Sequence, residues 1–139
     1  MRLRMMMLAA LLPAMAHAAD VSVSKPWIRY LLPSLPAAGY MVLQNNGDNN
    51  ETLTGAASPA CGSLMLHESE DNSGMAMMMD VPSVVIPAHG TMTFAPGGYH
   101  LMCMNPRMKV GDNIPVTLTL KSGATVNFSA KVYGAATAP

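Results

Sequence analysis

The chain has 139 residues, of which 50% are hydrophobic and 12% are charged, and its formal net charge is zero at pH 7. A chain of this length fits one globular domain. Its few Lys and Arg residues form no basic run, so the sequence lacks the electrostatic footprint that nucleic-acid binding requires.

The first 18 residues have the pattern of a secretory signal peptide. Two arginines precede an apolar run from Met5 to Met15, and Ala16-His17-Ala18 is a small-x-small cleavage site. The run is shorter than the roughly 20 apolar residues of a membrane-spanning helix, and Pro13 interrupts it. We therefore predict a signal peptide over residues 1–18, export to the periplasm, and one mature domain over residues 19–139 without stable membrane insertion.

The remaining sequence consists of short segments of alternating polarity between turn signals, which predicts an all-β domain. Val21–Tyr30 contains Pro26 and is predicted to be an edge strand. The segment Met75–Met79 is predicted to belong to a loop that opens at Asp71. Further predicted strands are Ala37–Gln44, Thr52–Ala57, Leu64–Glu68, Val84–Ile86, Thr91–Phe94, Tyr99–Met104, Ile114–Leu120 and Thr125–Val132. Their spacing favours a β-sandwich or a small Greek-key barrel.

Residues Gly97–Met104 are predicted to form a turn followed by a strand with two different faces. Successive side chains of a strand point to opposite faces, so His100, Met102 and Met104 share one face and Cys103 lies on the other. Packing alone does not require an imidazole and two thioethers in one row. Such soft donors favour a soft metal ion.

Four candidate ligands, His67, Met78, His100 and Met102, follow the spacing His, ten residues, Met, twenty-one residues, His-x-Met. Each alone is more typical of an ordinary core or surface residue, but the set is much more specific. Two neutral thioethers select Cu(I), and two imidazoles add stronger donation. A blue-copper centre would need a Cys between two His, so we expect no electron-transfer role.

This spacing is that of the PCu(A)C family of periplasmic copper chaperones, which the chain resembles over nearly all of residues 19–139. The resembling segments are Trp27-Ile28-Arg29, Ala38-Gly39-Tyr40-Met41 with Asn45, Leu53-Thr54-Gly55-Ala56, Leu66-His67-Glu68, Gly97–Met102 and Gly111-Asp112 with Thr117–Leu120. The resemblance implies a cupredoxin-like barrel that binds Cu(I) through the four candidate ligands. It further implies delivery to the subunit of cytochrome c oxidase that bears CuA, or to another periplasmic copper protein.

We expect a monomer. Some family members carry a His- and Met-rich tail that binds Cu(II). Because Gly134–Pro139 contains neither residue type, no such tail site is expected. The sequence shows no nucleophile with a neighbouring base and no phosphate-binding loop, so an enzyme is not expected. The alternatives to a chaperone are a periplasmic copper storage or resistance protein and a structural β-domain without metal.

Other His and Met residues have simpler interpretations. His89 is predicted to be a solvated turn residue. Met75, Met77 and Met79 are either core filler or a soft flap over the site, because Met adapts to irregular gaps. Met104 shares the ligand face and is expected to pack beneath the site.

The two cysteines favour a disulfide, because an exported chain with two Cys usually pairs them. Cys103 is predicted to point inward, where Cys61 can reach it. Two free buried thiols and thiolate ligation of copper are the alternatives.

Overall fold

The computed structural model describes residues 20–72 and 75–139, and within these ranges it contains ten β-strands and no helix. The strands are β1 (Val21–Arg29), β2 (Ala37–Asn45), β3 (Glu51–Ala57), β4 (Ser63–Asn72), β5 (Met75–Asp80), β6 (Val84–Ile86), β7 (Thr91–Phe94), β8 (Tyr99–Met104), β9 (Asn113–Leu120) and β10 (Thr125–Tyr133). No helix in the described ranges is long and apolar enough to span a membrane. The predicted signal peptide lies outside them.

The strands form one curled sheet in the order β5-β4-β8-β2-β1-β10-β9-β3-β6, with β7 also paired to β2. All neighbours are antiparallel except β1 and β10, which are parallel. Strand β2 pairs with β8 through Ala37–Gly39 and with β7 through Met41–Gln44. Because β3 also lies against β4, the sheet curls back on itself around one core. The prediction of an all-β barrel or sandwich is confirmed.

The prediction of an edge strand at the start of the domain is wrong. Strand β1 lies between β2 and β10. Its proline is accommodated by a register shift against β2 between Ser24 and Trp27, next to Lys25 at φ 50°. A bulge of this kind tolerates the missing N–H of Pro26.

The prediction of a methionine-rich loop is also wrong. Strand β4 continues to Asn72, and β5 pairs with it from Met75 to Asp80. His67 therefore lies within a strand instead of ending one, and Met78 lies in an edge strand of the sheet formed by the described residues. Because β8 pairs with β4 only as far as Glu68, the outer part of the β4–β5 hairpin projects beyond the sheet.

The core lies on the inner face of the curled sheet. Strand β9 alternates regularly, and its buried residues are Ile114, Val116, Leu118 and Leu120. Strands β4 and β8 contribute Leu66 and Leu101. Gly39 allows β2 to approach β8 closely, since a Cβ at this position would lie 3.2 Å from Cβ of Leu101.

A disulfide joins the loop after β3 to the inner face of β8. It links Cys61 to Cys103 with a Cα–Cα distance of 5.3 Å, and Cys103 is buried. The favoured pairing is confirmed, and neither free thiols nor thiolate ligation of copper applies. The bond fixes the strand that carries His100 and Met102 from the side opposite to these residues.

We expect the double substitution Cys61→Ala and Cys103→Ala to lower the free energy of unfolding by about 2–4 kcal/mol, because the bond restrains a long loop in the unfolded chain. Urea unfolding with and without reductant measures this. The wild type should lose stability in reductant, and the double variant should not respond. Equal stability of the oxidised wild type and the double variant would contradict this role.

Candidate metal centre

The pairing of β4 with β8 places two imidazoles side by side. His67 lies directly opposite His100 in the ladder, and their ring centroids are 5.6 Å apart. Both point to the outer face of the sheet, because the adjacent Leu66 and Leu101 are buried in the core. The structure thus brings together the two histidines of the predicted ligand set.

The two thioethers of the predicted set lie on the same outer face but differ in exposure. Met102 follows His100 by two residues and is 7% exposed. Met78 pairs with Ser69 and is 63% exposed. Met78 shares the face of His67, because its partner Ser69 lies two residues after His67 and side chains on one face of a strand repeat every two residues. Met78 is a diagonal neighbour of His67, at a backbone separation of roughly 7–8 Å. His67, His100 and Met102 are therefore adjacent, and Met78 lies at the exposed rim of this group.

The imidazole of His100 is held with one nitrogen ready to donate an electron pair. Its Nδ1 lies 3.4 Å from the carbonyl oxygen of Gly98, a long hydrogen bond in which only the imidazole N–H can donate. The buried Nε2 then carries a lone pair, and it has no hydrogen-bond partner among the described residues. Burial lowers the pKa of His100, the Gly98 contact raises it, and the nearby His67 lowers it. His100 thus stays neutral at a lower pH than an ordinary histidine.

The imidazole of His67 lies close to a carboxylate. Its Nε2 is 2.5 Å from Oδ1 of Asp80, the residue opposite it on β5. The contact lacks the alignment of a hydrogen bond, so neither ring nitrogen has such a partner within the described ranges. A carboxylate at this position can orient a ligating imidazole. Asp80 is a residue that the sequence analysis missed, since only the β4–β5 register reveals it.

Two further thioethers lie on the outer face. Met65 is half-buried and directly opposite Met102, while Met104 is half-buried and opposite Ser63. The sequence analysis placed Met104 on this face but missed Met65. Its position two residues before His67 in a strand would have been sufficient to identify it.

An aromatic cluster borders His100 on the side away from His67. Tyr40 is 8% exposed, with its ring centroid 6.5 Å from that of His100 and 4.7 Å from that of Trp27. Arg29 lies over the Trp27 ring at 5.2 Å. Burial raises the pKa of Tyr40, and the charge of Arg29 lowers it. This cluster lies against one side of His100, which is itself buried.

Several other candidates are not part of this group. His89 is exposed in the turn before β7, where its Nε2 lies 2.8 Å from Oδ1 of Asp48. Met75, Met77 and Met79 pair with Asn72, Glu70 and Glu68, so they point to the opposite face from Met78. They are also exposed. The structure therefore supports neither core filler nor a flap over the site.

The donor set favours soft metal ions. In the part of the chain that the structure describes, no group of three or more His, Cys, Asp or Glu residues can hold a metal ion. An ion held by His67 and His100 would have thioether sulfurs as neighbours on the same face, and thioethers favour soft ions such as Cu(I).

Known structures share this fold. The copper-bound PCuAC domain of PmoF2 superimposes with a TM-score of 0.69 at 23% identity, covering 86% of this chain and 97% of that one. This likeness supports the cupredoxin-like fold. The apo form of DR1885 from Deinococcus radiodurans is 35% identical, with a TM-score of 0.62 over 96% of this chain and 95% of that one. The structure of CuI-DR1885 matches with the same identity and covers 90% of this chain and 81% of that one.

Sequence comparison gives a family. "Putative lipoprotein Lxx21020" of Leifsonia xyli subsp. xyli (strain CTCB07) is 36% identical over 122 residues, which are 82% of this chain and 73% of the relative. The family model described as "Putative lipoprotein LpqE-like" matches residues 21–132, almost the whole described domain. The chain therefore belongs to the LpqE-like family.

Proposed function

We propose that this protein is an extracytoplasmic Cu(I) chaperone that binds one ion through His67, Met78, His100 and Met102. The observation that carries the proposal is the pair of opposed imidazoles, each with a buried ring nitrogen that has no hydrogen-bond partner among the described residues, next to the buried thioether of Met102. Support comes from the 35% identity to DR1885, which has been studied as CuI-DR1885. The lipoprotein name of the Leifsonia relative supports a location outside the cytoplasm, in accord with the predicted signal peptide.

The exposures of the ligands suit a carrier. His100 and Met102 are buried and fix one side of the ion, whereas Met78 lies in an edge strand with most of its surface in water. A thioether is a weak, neutral donor, so an incoming ligand from a recipient can displace Met78 without unfolding the sheet. Transfer then begins at the β5 edge and ends at His100. The recipient that the family resemblance implies is the CuA centre of cytochrome c oxidase or another periplasmic copper protein.

Removing one imidazole tests the ligand set. We expect His100→Ala to lower Cu(I) affinity by about two orders of magnitude or more, because loss of a ligand exceeds the effect of removing an outer hydrogen-bond partner. Anaerobic competition with a chromophoric Cu(I) chelator measures this. His89→Ala is the matched control and should leave affinity unchanged. Equal losses in both variants would contradict the assignment.

Protons should compete with Cu(I) only at the imidazoles. Affinity should be constant near pH 8 and fall below roughly pH 6, by up to about a hundredfold per unit once both imidazoles must lose a proton. Because burial lowers the pKa of His100, protonation of this residue should begin to reduce the Cu(I) affinity at a lower pH than protonation of an ordinary histidine would. The same competition assay at pH 5 to 8 measures the slope. A constant affinity over this range would show that thioethers alone hold the ion.

The thioethers should determine selectivity. We expect Zn(II) and Cu(II) to bind at least about 100-fold more weakly than Cu(I), since neither gains much from thioether sulfur. Replacing both thioethers with imidazoles, in Met78→His with Met102→His, should raise Zn(II) affinity. Titrations of each ion against the wild type and this variant measure the change. Displacement of Cu(I) from the wild type by an equal concentration of Zn(II) would contradict the proposed ligands.

A further inference from the structure

The back face of the β4–β5 hairpin carries a row of exposed methionines that the proposed chaperone site does not use. Met75, Met77 and Met79 are 70%, 49% and 47% exposed. They occupy alternate positions of β5 and therefore share one face, opposite to the face of Met78. Their exposure shows that this face of the hairpin is in contact with solvent along the whole row.

Exposed apolar residues in an edge strand are costly unless they have a function. A run such as Met77-Met78-Met79 exposes apolar surface, and an apolar edge strand promotes unwanted pairing with other chains. The best strand formers are β-branched and aromatic residues. Four of the six residues of β5 are instead methionines. What distinguishes them from Leu or Ile is the soft thioether sulfur.

Two carboxylates lie across the ladder from this row. Glu70 is the direct partner of Met77, and Glu68 is the direct partner of Met79. Side chains at such positions have Cβ atoms about 4.5–5.5 Å apart. Glu70 is exposed and Glu68 half-buried, and neither forms a salt bridge within residues 20–72 and 75–139. Their uncompensated charge raises the local concentration of cations next to the sulfurs.

We propose that Met75, Met77 and Met79, with Glu68 and Glu70, form a second binding site for a soft monovalent cation, Cu(I) or its redox-stable analogue Ag(I). Neighbouring methionines in the row are attached about 6.6 Å apart along the strand. Three rotatable bonds in each side chain allow two neighbouring sulfurs to reach one ion, so Met77 can share it with either Met75 or Met79. The site has no imidazole and lies open to solvent, so it binds more weakly and exchanges faster than the His67–His100 site. It holds an ion on the strand that also carries Met78.

The two sites differ in their response to protons, which gives a sharp test. Thioethers are not protonated in water, so protons do not compete for the sulfurs of the second site. We therefore expect two equivalents of Ag(I) to bind the wild type, the first with an affinity that falls below roughly pH 6 and the second with a constant affinity between pH 5 and 8. NMR of protein labelled at the methionine ε-methyl groups reports which sulfurs take up each equivalent. The second should shift the signals of Met75, Met77 and Met79.

Variants separate this site from the proposed chaperone site. The triple variant Met75→Leu, Met77→Leu and Met79→Leu keeps the apolar surface and should lose only the second equivalent. Met92→Leu on β7 is the matched control and should keep both. Glu68→Gln with Glu70→Gln retains the sulfurs and should weaken the second equivalent several-fold at low salt. The double variant His67→Ala and His100→Ala should lose the first equivalent and keep the second, so failure of either site is recognisable.

Three results would overturn the second site. One is binding of a single equivalent by the wild type. Another is unchanged ε-methyl signals for the back-face row while Met65 or Met104 takes up the second ion. The third is a triple leucine variant that still binds both ions, which would show that the row does not coordinate them.

Discussion

The register between β4 and β8 is the constraint on which the site depends. It places His67 opposite His100 and Met65 opposite Met102. Because side chains alternate with a period of two, a slip of one residue in β4 would turn Leu66 outward and His67 into the core. The buried leucines therefore fix the positions of the imidazoles through the hydrophobic effect. Gly39 and the Cys61–Cys103 disulfide hold β8 in place from the adjacent strand and from the inner face.

The two faces of this sheet thus have different roles. The inner face supplies the buried area and the covalent link that keep the domain folded. The outer face holds polar and soft side chains, of which His100 and Met102 are buried and Met78 is exposed. His100 is buried with an unpartnered Nε2, and a lone pair left in this way costs free energy in the absence of a ligand. The core can offset that cost, so the two imidazoles are held in place without a ligand.

Regular alternation of polar and apolar residues made much of the fold and of the candidate site predictable from the sequence. The faces of β8 and the strands β9 and β10 follow from local pattern, as does the inward direction of Cys103. The β5 strand was not predictable in the same way, since consecutive methionines show no alternation of polarity and are not strong strand formers. Asp80 could not be assigned without the β4–β5 register. The position of β1 inside the sheet depends on its parallel pairing with β10, a long-range contact that local sequence does not encode.

That Met75–Asp80 is a strand and not a loop has a physical consequence for function. In a loop, Met75 to Met79 could all turn toward one ion, and the run would be a single flexible cluster. In a strand, the period of two divides the run between the faces, so Met78 joins the imidazoles and its neighbours join Glu68 and Glu70. Neighbouring sulfurs in sequence then cannot share an ion without breaking the ladder. The same strand therefore places one thioether on the face of the two imidazoles, while its other face holds thioethers beside carboxylates in water.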